Sequence, residues 1–223
     1  MADFHLYDKL LQFTLFQGMS KGDLELIVAH TRLGFHKYAP GETIAADGDA
    51  CNRLLFLTDG HIHIHTISSN HAFTVTEVGH SPEMFQAESI FGLSQRFTHT
   101  YQALTPCSVL SISKDEVYRI FETFTIFRIN LVNLLSTRLQ KQHTRTWRKT
   151  SPTLRQQTIN FFESHCLYPA GEKHLKIKMQ QLADELGAKR LYVSQTLNTL
   201  QDEGLLTLSR GAIHIQALER LLM

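Results

Sequence analysis

The sequence predicts an α+β fold in two parts joined by a long helix. Three observations carry this: short β-rich runs between Thr31 and Ser113, a helical stretch with a narrow leucine stripe over 125–148, and a C-terminal series of helix, glycine turn, helix and hairpin. With 223 residues, 43% apolar and 19% charged, the chain can build one large core or two small ones. No run of about 18 apolar residues occurs, so no transmembrane helix is expected and no membrane partner. The start, MADFHLYDKLLQF, carries Asp3 and Asp8 and does not read as a secretory signal. Cys51, Cys107 and Cys166 form no CxxC pair, iron–sulfur framework or disulfide lattice, and they fit a reducing, cytoplasmic setting.

Taken in order, residues 3–13 predict a short amphipathic helix with Leu6, Leu10 and Leu11 on one side. A second helix starts near Ser20, where Ser20 and Asp23 resemble a capping box, followed by Leu24, Ile27 and Val28 at helical spacing. The runs GETIA, RLLFLT, HIHIHTI, AFTVTEV and SVLSIS read as strands. They are punctuated by Pro40-Gly41, Asp47-Gly48, Asp59-Gly60 and Ser68-Ser69-Asn70, which suggests an antiparallel barrel, sandwich or roll. In HIHIHTI, strand geometry puts His61, His63 and His65 on the face opposite Ile62 and Ile64.

KDEVYRIFE (114–122) reads as a short helix. In the long one, over 125–148, Phe127, Leu131, Leu134, Leu135 and Leu139 make a stripe suited to a coiled-coil-like dimer seam or to packing on the chain's own β-rich part. Ser151-Pro152 marks a boundary, with Ser as N-cap and Pro at the first helical position.

Charge separates the two ends. Residues 1–122 hold 8 Lys/Arg and 14 Asp/Glu, a net −6; residues 123–223 hold 14 and 7, a net +7. Between Thr123 and Phe162 there is no acid, but Arg128, Arg138, Lys141, Arg145, Arg148, Lys149 and Arg155 are present. That is compatible with nucleic-acid binding by the basic half, and also with an ordinary solvated helix face.

The segment MQQLADELGAKRLYVSQTLNTLQDEG, from Met179, is the most informative. Leu182, Ala183 and Leu186 form one apolar face, and Gly187 is placed to end that helix in a left-handed conformation. A second helix begins near Lys189, buries Val193, Leu197 and Leu200, and stops at Gly204. This is a helix-turn-helix pattern, and the second helix offers Lys189, Arg190, Leu191, Tyr192, Ser194, Gln195 and Asn198 to a major groove. Residues 205–208 and 212–215 flank Ser209-Arg210-Gly211 as a hairpin, or wing, with Arg210 suited to a phosphate. A helical hairpin used only for packing is the plainer alternative. A short helix over Ala217–Leu222 closes the chain.

With these residues in place, the whole chain resembles the Crp/Fnr family of bacterial transcriptional regulators. The resemblance rests on KYAPGETIAADGDACNRLLFLTDGHIHIH with its glycines at 41, 48 and 60, on FQAES, on the long helix and on the winged helix-turn-helix. It implies an antiparallel β-roll (double-stranded β-helix) sensor domain over 1–124, a dimerisation helix and hinge over 125–150, and a winged helix-turn-helix DNA-binding domain over 151–223. It further implies a homodimer on a palindromic operator in double-stranded DNA, action with RNA polymerase, and a small-molecule effector in the β-roll pocket. Signal would pass through the end of the long helix at Trp147–Ser151. No cofactor is named by the sequence.

The pocket departs from the family's cyclic-nucleotide binders, whose phosphate cassette reads Phe-x-Gly-Glu, then a spacer, then Arg followed by Ser or Thr. Here Phe85-Gln86-Ala87-Glu88 keeps the carboxylate that would hold a ribose hydroxyl, but Ala87 replaces the glycine. Thr98 matches the Ser/Thr, Phe97 stands where the phosphate-binding Arg is expected, and Arg96 is one residue away. Gln142-His143 replace the Thr-Ser pair that meets adenine. Cyclic AMP is therefore an unexpected ligand, since its phosphate would lack a bidentate charge partner. In the recognition helix, the family's Arg, Glu and second Arg correspond to Arg190, Leu191 and Gln195.

Residues 1–50 contain no cysteine, which argues against the oxygen-sensing branch. The 13 histidines leave open a haem- or metal-linked redox or gas sensor of the same family, with His143 as a candidate. A cupin-like metal-binding β-roll enzyme using His61, His63 and Glu77 is a rival, and so is a cyclic-nucleotide module that binds no DNA. No Walker loop, HExxH or GxSxG is present, so no enzyme is expected.

Overall fold

The computed structural model describes residues 2–146 and 153–223. They divide into two compact units, one of residues up to 62 together with 79–146, the other of residues 63–78 together with the C-terminal segment to Met223.

The first unit opens with Ala2–Leu11 (α1), a 3-10 turn at Thr14–Phe16 and Lys21–His30 (α2). The expected capping box is present. Ser20 Oγ accepts from the Asp23 amide at 3.1 Å, and the Asp23 carboxylate accepts from the Ser20 amide at 3.2 Å. Strands then run Leu33–Tyr38 (β1), Thr43–Ala45 (β2), Arg53–Asp59 (β3), His61–Ile67 (β4), Phe73–His80 (β5), Glu83–Phe85 (β6), Thr100–Ala103 (β7) and Cys107–Ser113 (β8). Lys114–Thr123 (α3) and Thr125–Thr146 (α4) follow. One antiparallel sheet has the order β1-β8-β3-β6, and β2 pairs with β7, giving the expected β-roll. Gly60 makes the β3–β4 turn possible. Its φ is +100°, and a Cβ there would lie 2.6 Å from the Pro106 carbonyl oxygen.

The core of this unit explains why the sheet is covered at one end. Leu54, Phe56 and Leu57 are buried, and Phe13 meets Phe56 edge-on at 5.0 Å. Phe16 joins Phe56 to Phe127 of α4, with ring centroids 5.5 Å apart in the second contact. Asn130 donates to the carbonyls of Leu15 at 3.1 Å and Gln17 at 2.8 Å. The leucine stripe of α4 is thereby split. Phe127 and Leu131 are buried in their own unit and Leu134 and Leu135 are half-buried, while Ile129, Val132 and Leu139 stand exposed. The exposed apolar edge is rotated from the expected one because the turn at 14–16 claims the first part of the stripe.

In the second unit, Leu154–Ser164 (α5), Lys173–Ile177 (β9), Met179–Glu185 (α6), Arg190–Asp202 (α7), Thr207–Ser209 (β10), Ala212–Ile215 (β11) and Leu218–Leu221 (α8) surround one core. Thr153, not Ser151, caps α5, accepting from the Gln156 amide at 3.2 Å. Ser151-Pro152 and the hinge expected at Trp147–Ser151 lie outside the described residues. The sheet order here is β10-β11-β9-β5-β4. β5 pairs antiparallel with β9, from Phe73 opposite Ile177 to Glu77 opposite Lys173. Alternation sends Phe73, Val75, Leu175, Ile177, Ile213 and Ile215 to the face under the helices. The domains expected at 1–124, 125–150 and 151–223 are contiguous stretches; the compact units are not, since α4 groups with the first and residues 63–78 with the second. The hairpin 63–78 completes the sheet of the C-terminal unit, because β9 would otherwise present a bare, apolar edge.

Burial along α7 gives a direct check. Leu197→Ala should cost about 2–5 kcal/mol, because Leu197 is fully buried. Leu191→Ala, at an exposed position of the same helix, should stay within about 0.5 kcal/mol. Urea unfolding followed by circular dichroism measures both, and equal losses would contradict this packing.

Candidate nucleic-acid interface and effector pocket

The sharp turn between α6 and α7 comes from Gly187, in the left-handed region at φ +59°. The Gly187 amide donates to the Asp184 carbonyl at 3.1 Å and the Ala188 amide to the Ala183 carbonyl at 2.9 Å, closing the first helix in a Schellman pattern. Gly204 ends α7 in the same way, with Leu205 donating to Leu200 at 3.0 Å. Val193, Leu197 and Leu200 are buried, and the opposite side of α7 carries Leu191, Gln195 and Asn198 at i, i+4 and i+7. Lys189 is the N-cap residue and Arg190 the first helical residue; both are exposed. Ser194 is half-buried on one flank and Tyr192 exposed on the other. Arg210 is exposed at the tip of the β10–β11 hairpin, beside Gly211 at φ +73°. Arg155 makes two bonds to Glu203, at 2.8 and 2.7 Å, tying the start of α5 to the end of α7. The Arg155 hydrogen bond holds the Glu203 carboxyl below its ordinary range.

In the first unit, most of the residues expected to form an effector pocket are engaged with other groups of the same unit. Phe85 is buried and stacks on Tyr101, with ring centroids 4.3 Å apart. Ala87 is buried in the 3-10 turn Ala87–Ser89. Gln86 lies in the left-handed region at φ +34°, which few non-glycine residues adopt. Its side chain makes three bonds: Nε2 donates to Ser89 Oγ at 2.6 Å and to the Arg96 carbonyl at 3.1 Å, and Oε1 accepts from the Thr98 amide at 2.9 Å. Phe97 is core, its ring edge-on to Tyr101. The Arg96 guanidinium donates to the Gly48 carbonyl at 2.6 Å. Glu88 is paired with Arg138 of α4. Gln142 and His143 are exposed near the end of α4. Burial, then the Glu88 charge, pushes the Cys51 thiol up to about 11 and raises the Tyr101 hydroxyl.

Comparison with known proteins agrees with both halves. A family model described as the cyclic nucleotide-binding domain matches residues 35–124, and one described as the Crp-like helix-turn-helix domain matches 155–223. The chain belongs to the Crp/Fnr family. Members of this family are DNA-binding transcription regulators with a sensor domain. Among solved structures, a Crp/Fnr-family regulator from Eubacterium rectale is similar at 23% identity and a TM-score of 0.55, over 94% of this chain and 96% of that one. The catabolite activator protein of Thermus thermophilus matches at 18% identity and a TM-score of 0.51, over 94% and 97%. The sensor domain of the regulator DNR from Pseudomonas aeruginosa matches at 20% identity and 0.55, over 69% of this chain and 99% of that one. These likenesses speak for the fold. No curated protein matches the sequence.

This Crp/Fnr chain differs at two points from what its sequence suggested. Glu77, offered as a metal ligand by the cupin-like alternative, is fully buried and bonded to Lys173 at 2.9 Å. Its two oxygens also accept from the amides of Leu167 at 2.8 Å and Tyr168 at 3.1 Å, so they are committed. His61 meets His80, with Nδ1 atoms 2.8 Å apart, and His65 Nδ1 lies 2.9 Å from Thr76 Oγ1. His63 and His65 have ring centroids 5.8 Å apart. Among the described residues no group of three or more His, Cys, Asp or Glu is placed to hold a metal.

Second, sequence reasoning passed over Gln86, Tyr101 and Arg138 as pocket residues. Only Arg138 left a signal, as one cation in an acid-free helix that needed an anion elsewhere in the fold.

Proposed function

We propose that this Crp/Fnr-family regulator binds a palindromic operator as a homodimer, reads bases with the outward face of α7, and acts with RNA polymerase in the cytoplasm without enzymatic activity of its own. The observation that carries this is α7 itself. It buries Val193, Leu197 and Leu200 and offers Arg190, Leu191, Gln195 and Asn198 outward, directly before a hairpin tipped by Arg210. Arg190 can pair bidentately with guanine O6 and N7, and Gln195 with adenine N6 and N7. Leu191 cannot accept from cytosine as a Glu would, but it can touch a thymine methyl. Lys189, Ser194, Tyr192 and Arg210 are suited to positioning on phosphate.

For the dimer, the support is the exposed edge of α4. Ile129, Val132 and Leu139 recur at spacings of three and seven, as in a coiled-coil seam. For the effector, the support is the filled cassette. Phe97 supplies no charge, Arg96 is turned to Gly48, and Gln86 occupies the space between the cassette and residues 96–98. A cyclic phosphate would find no guanidinium presented to it, so we assign the pocket to an effector other than cyclic AMP.

Selection of bound duplexes from a random pool tests the reading. The selected sites should be palindromic, with half-sites about 34 Å apart, one helical turn. Failure to enrich any sequence would overturn it. Arg190→Ala should cost about 1–3 kcal/mol and relax preference at one base pair. Arg210→Ala should weaken all sequences alike and reduce the salt slope by about one unit. If Arg190→Ala leaves base preference intact, the assignment of roles is wrong.

Light scattering should find a dimer at micromolar concentration. Val132→Glu, which would bury a charge in the seam, should give a monomer with unchanged helical content. Titration calorimetry at pH 7 should find cyclic AMP binding weaker than about 10 μM, near −7 kcal/mol. Tighter binding would mean that Arg96 leaves Gly48 for the phosphate.

A further inference from the structure

The hairpin 63–78 belongs by sequence to the β-roll and by contacts to the DNA-binding unit. Its strand β5 adds to the edge of β9 through five consecutive register pairs, Phe73–Ile177 to Glu77–Lys173. Phe73 and Val75 are buried in the same core cluster as Phe162, Leu182, Val193 and Leu197. At the end of the ladder, Glu77 and Lys173 form an ion pair 2.9 Å long in which both side chains are essentially without solvent contact. Among the described residues the further hydrogen bonds of each charge go to backbone: Glu77 accepts from the Leu167 and Tyr168 amides, and Lys173 donates to the Ala170 carbonyl at 2.8 Å. Lys173 also sits 5.6 Å from the centre of the Tyr168 ring.

From these observations we infer that the β4–β5 hairpin of the sensor is an integral strand pair of the DNA-binding unit, locked there by Glu77 and Lys173, and that it stays docked when DNA binds. The second half of the claim follows from where α7 points. The side of α7 turned into the core that the hairpin's Phe73 and Val75 share carries Val193 and Leu197, and the side offered to DNA carries Leu191, Gln195 and Asn198. Hairpin and duplex therefore use opposite sides of one helix. The hairpin leaves and rejoins the sensor in the chain at residues 62–63 and 78–79, so the chain passes between the two units there as well as after α4. A sensor that shifts β4 and β5 acts directly on the sheet that supports the recognition helix. The DNA half of this inference rests on the function proposed above; the docking half does not.

Hydrogen exchange read by mass spectrometry on the full chain separates the two. Without DNA, peptides covering 73–77 and 173–177 should both be protected. Glu77→Leu leaves the Lys173 ammonium with one carbonyl, and should speed exchange in both peptides at least about tenfold while 53–59 of the first unit is unchanged. The double variant Glu77→Leu with Lys173→Met should return protection to within about threefold, since it removes both charges together. Saturation with the selected duplex should leave protection in both peptides intact. Open-edge exchange at 173–177 in the wild type, or no response there to Glu77→Leu, would overturn the docking. Loss of protection on the duplex would show instead that the hairpin must release. If no duplex binds at all, the DNA reading fails while the first two measurements still decide the hairpin's place.

Discussion

The C-terminal unit depends on one buried ion pair. Removing two charges from water costs several kcal/mol each, and only close geometry with full hydrogen bonding offsets that. Glu77 and Lys173 lie 2.9 Å apart, and the Leu167 and Tyr168 amides and the Ala170 carbonyl supply further partners to the two charges. The pair fixes the register of β5 on β9, because a slip of one residue would turn Glu77 to the opposite face. It also fixes the loop after α5. The Gly171 amide then donates to Glu219 at 2.7 Å, which positions the closing helix. From β9 the ladder passes to β11 and β10, the wing. A single electrostatic constraint thus reaches the wing through backbone pairing and the recognition helix through the shared core.

The recognition surface shows a division of labour along one helix. Val193, Leu197 and Leu200 anchor it, so the positions between them are free for chemistry. Left-handed glycines close Schellman patterns on either side of it, Gly187 at the end of α6 and Gly204 at the end of α7 itself. Neither requires a neighbour from another element. The angle between α6 and α7 is therefore a local property, and the exposed donors at the start of α7 are carried on a rigid support.

The sensor cassette has its polar groups engaged within its own unit. Where the family's nucleotide binders keep a glycine and a free guanidinium, this chain has a buried Ala87, a Gln86 bonded to three partners, and a Glu88 paired with Arg138. The last contact joins the cassette to α4, the helix that also carries the exposed apolar edge. Any molecule that engages Glu88 must compete with that guanidinium, so occupancy of the cassette and the position of α4 are linked within this unit.

Much of this was legible in the sequence because it is local. The Ser20–Asp23 capping box, the strand runs with their glycine turns, the short helix at 114–123, Gly187, and the Arg210 hairpin all follow from spacing and backbone preference over a few residues. What only the tertiary structure decided concerns groups whose partners lie far away in the chain. Lys173 and Glu77 are charged, and a charge in a sequence reads as solvent; β9 was missed for that reason, and Glu77 was open to a metal reading. Phe127 and Leu131 of α4 look equivalent to Leu139 by period, yet a turn over 100 residues earlier, at Thr14–Phe16, buries the first two and leaves the third exposed. Gln86 has no helical or strand period at all, and its role exists only once residues 96–98 fold beside it. Periodicity and turn chemistry determine which elements form; which of their side chains meet is settled by long-range desolvation, since a buried charge or ring must find its partner wherever the chain brings one.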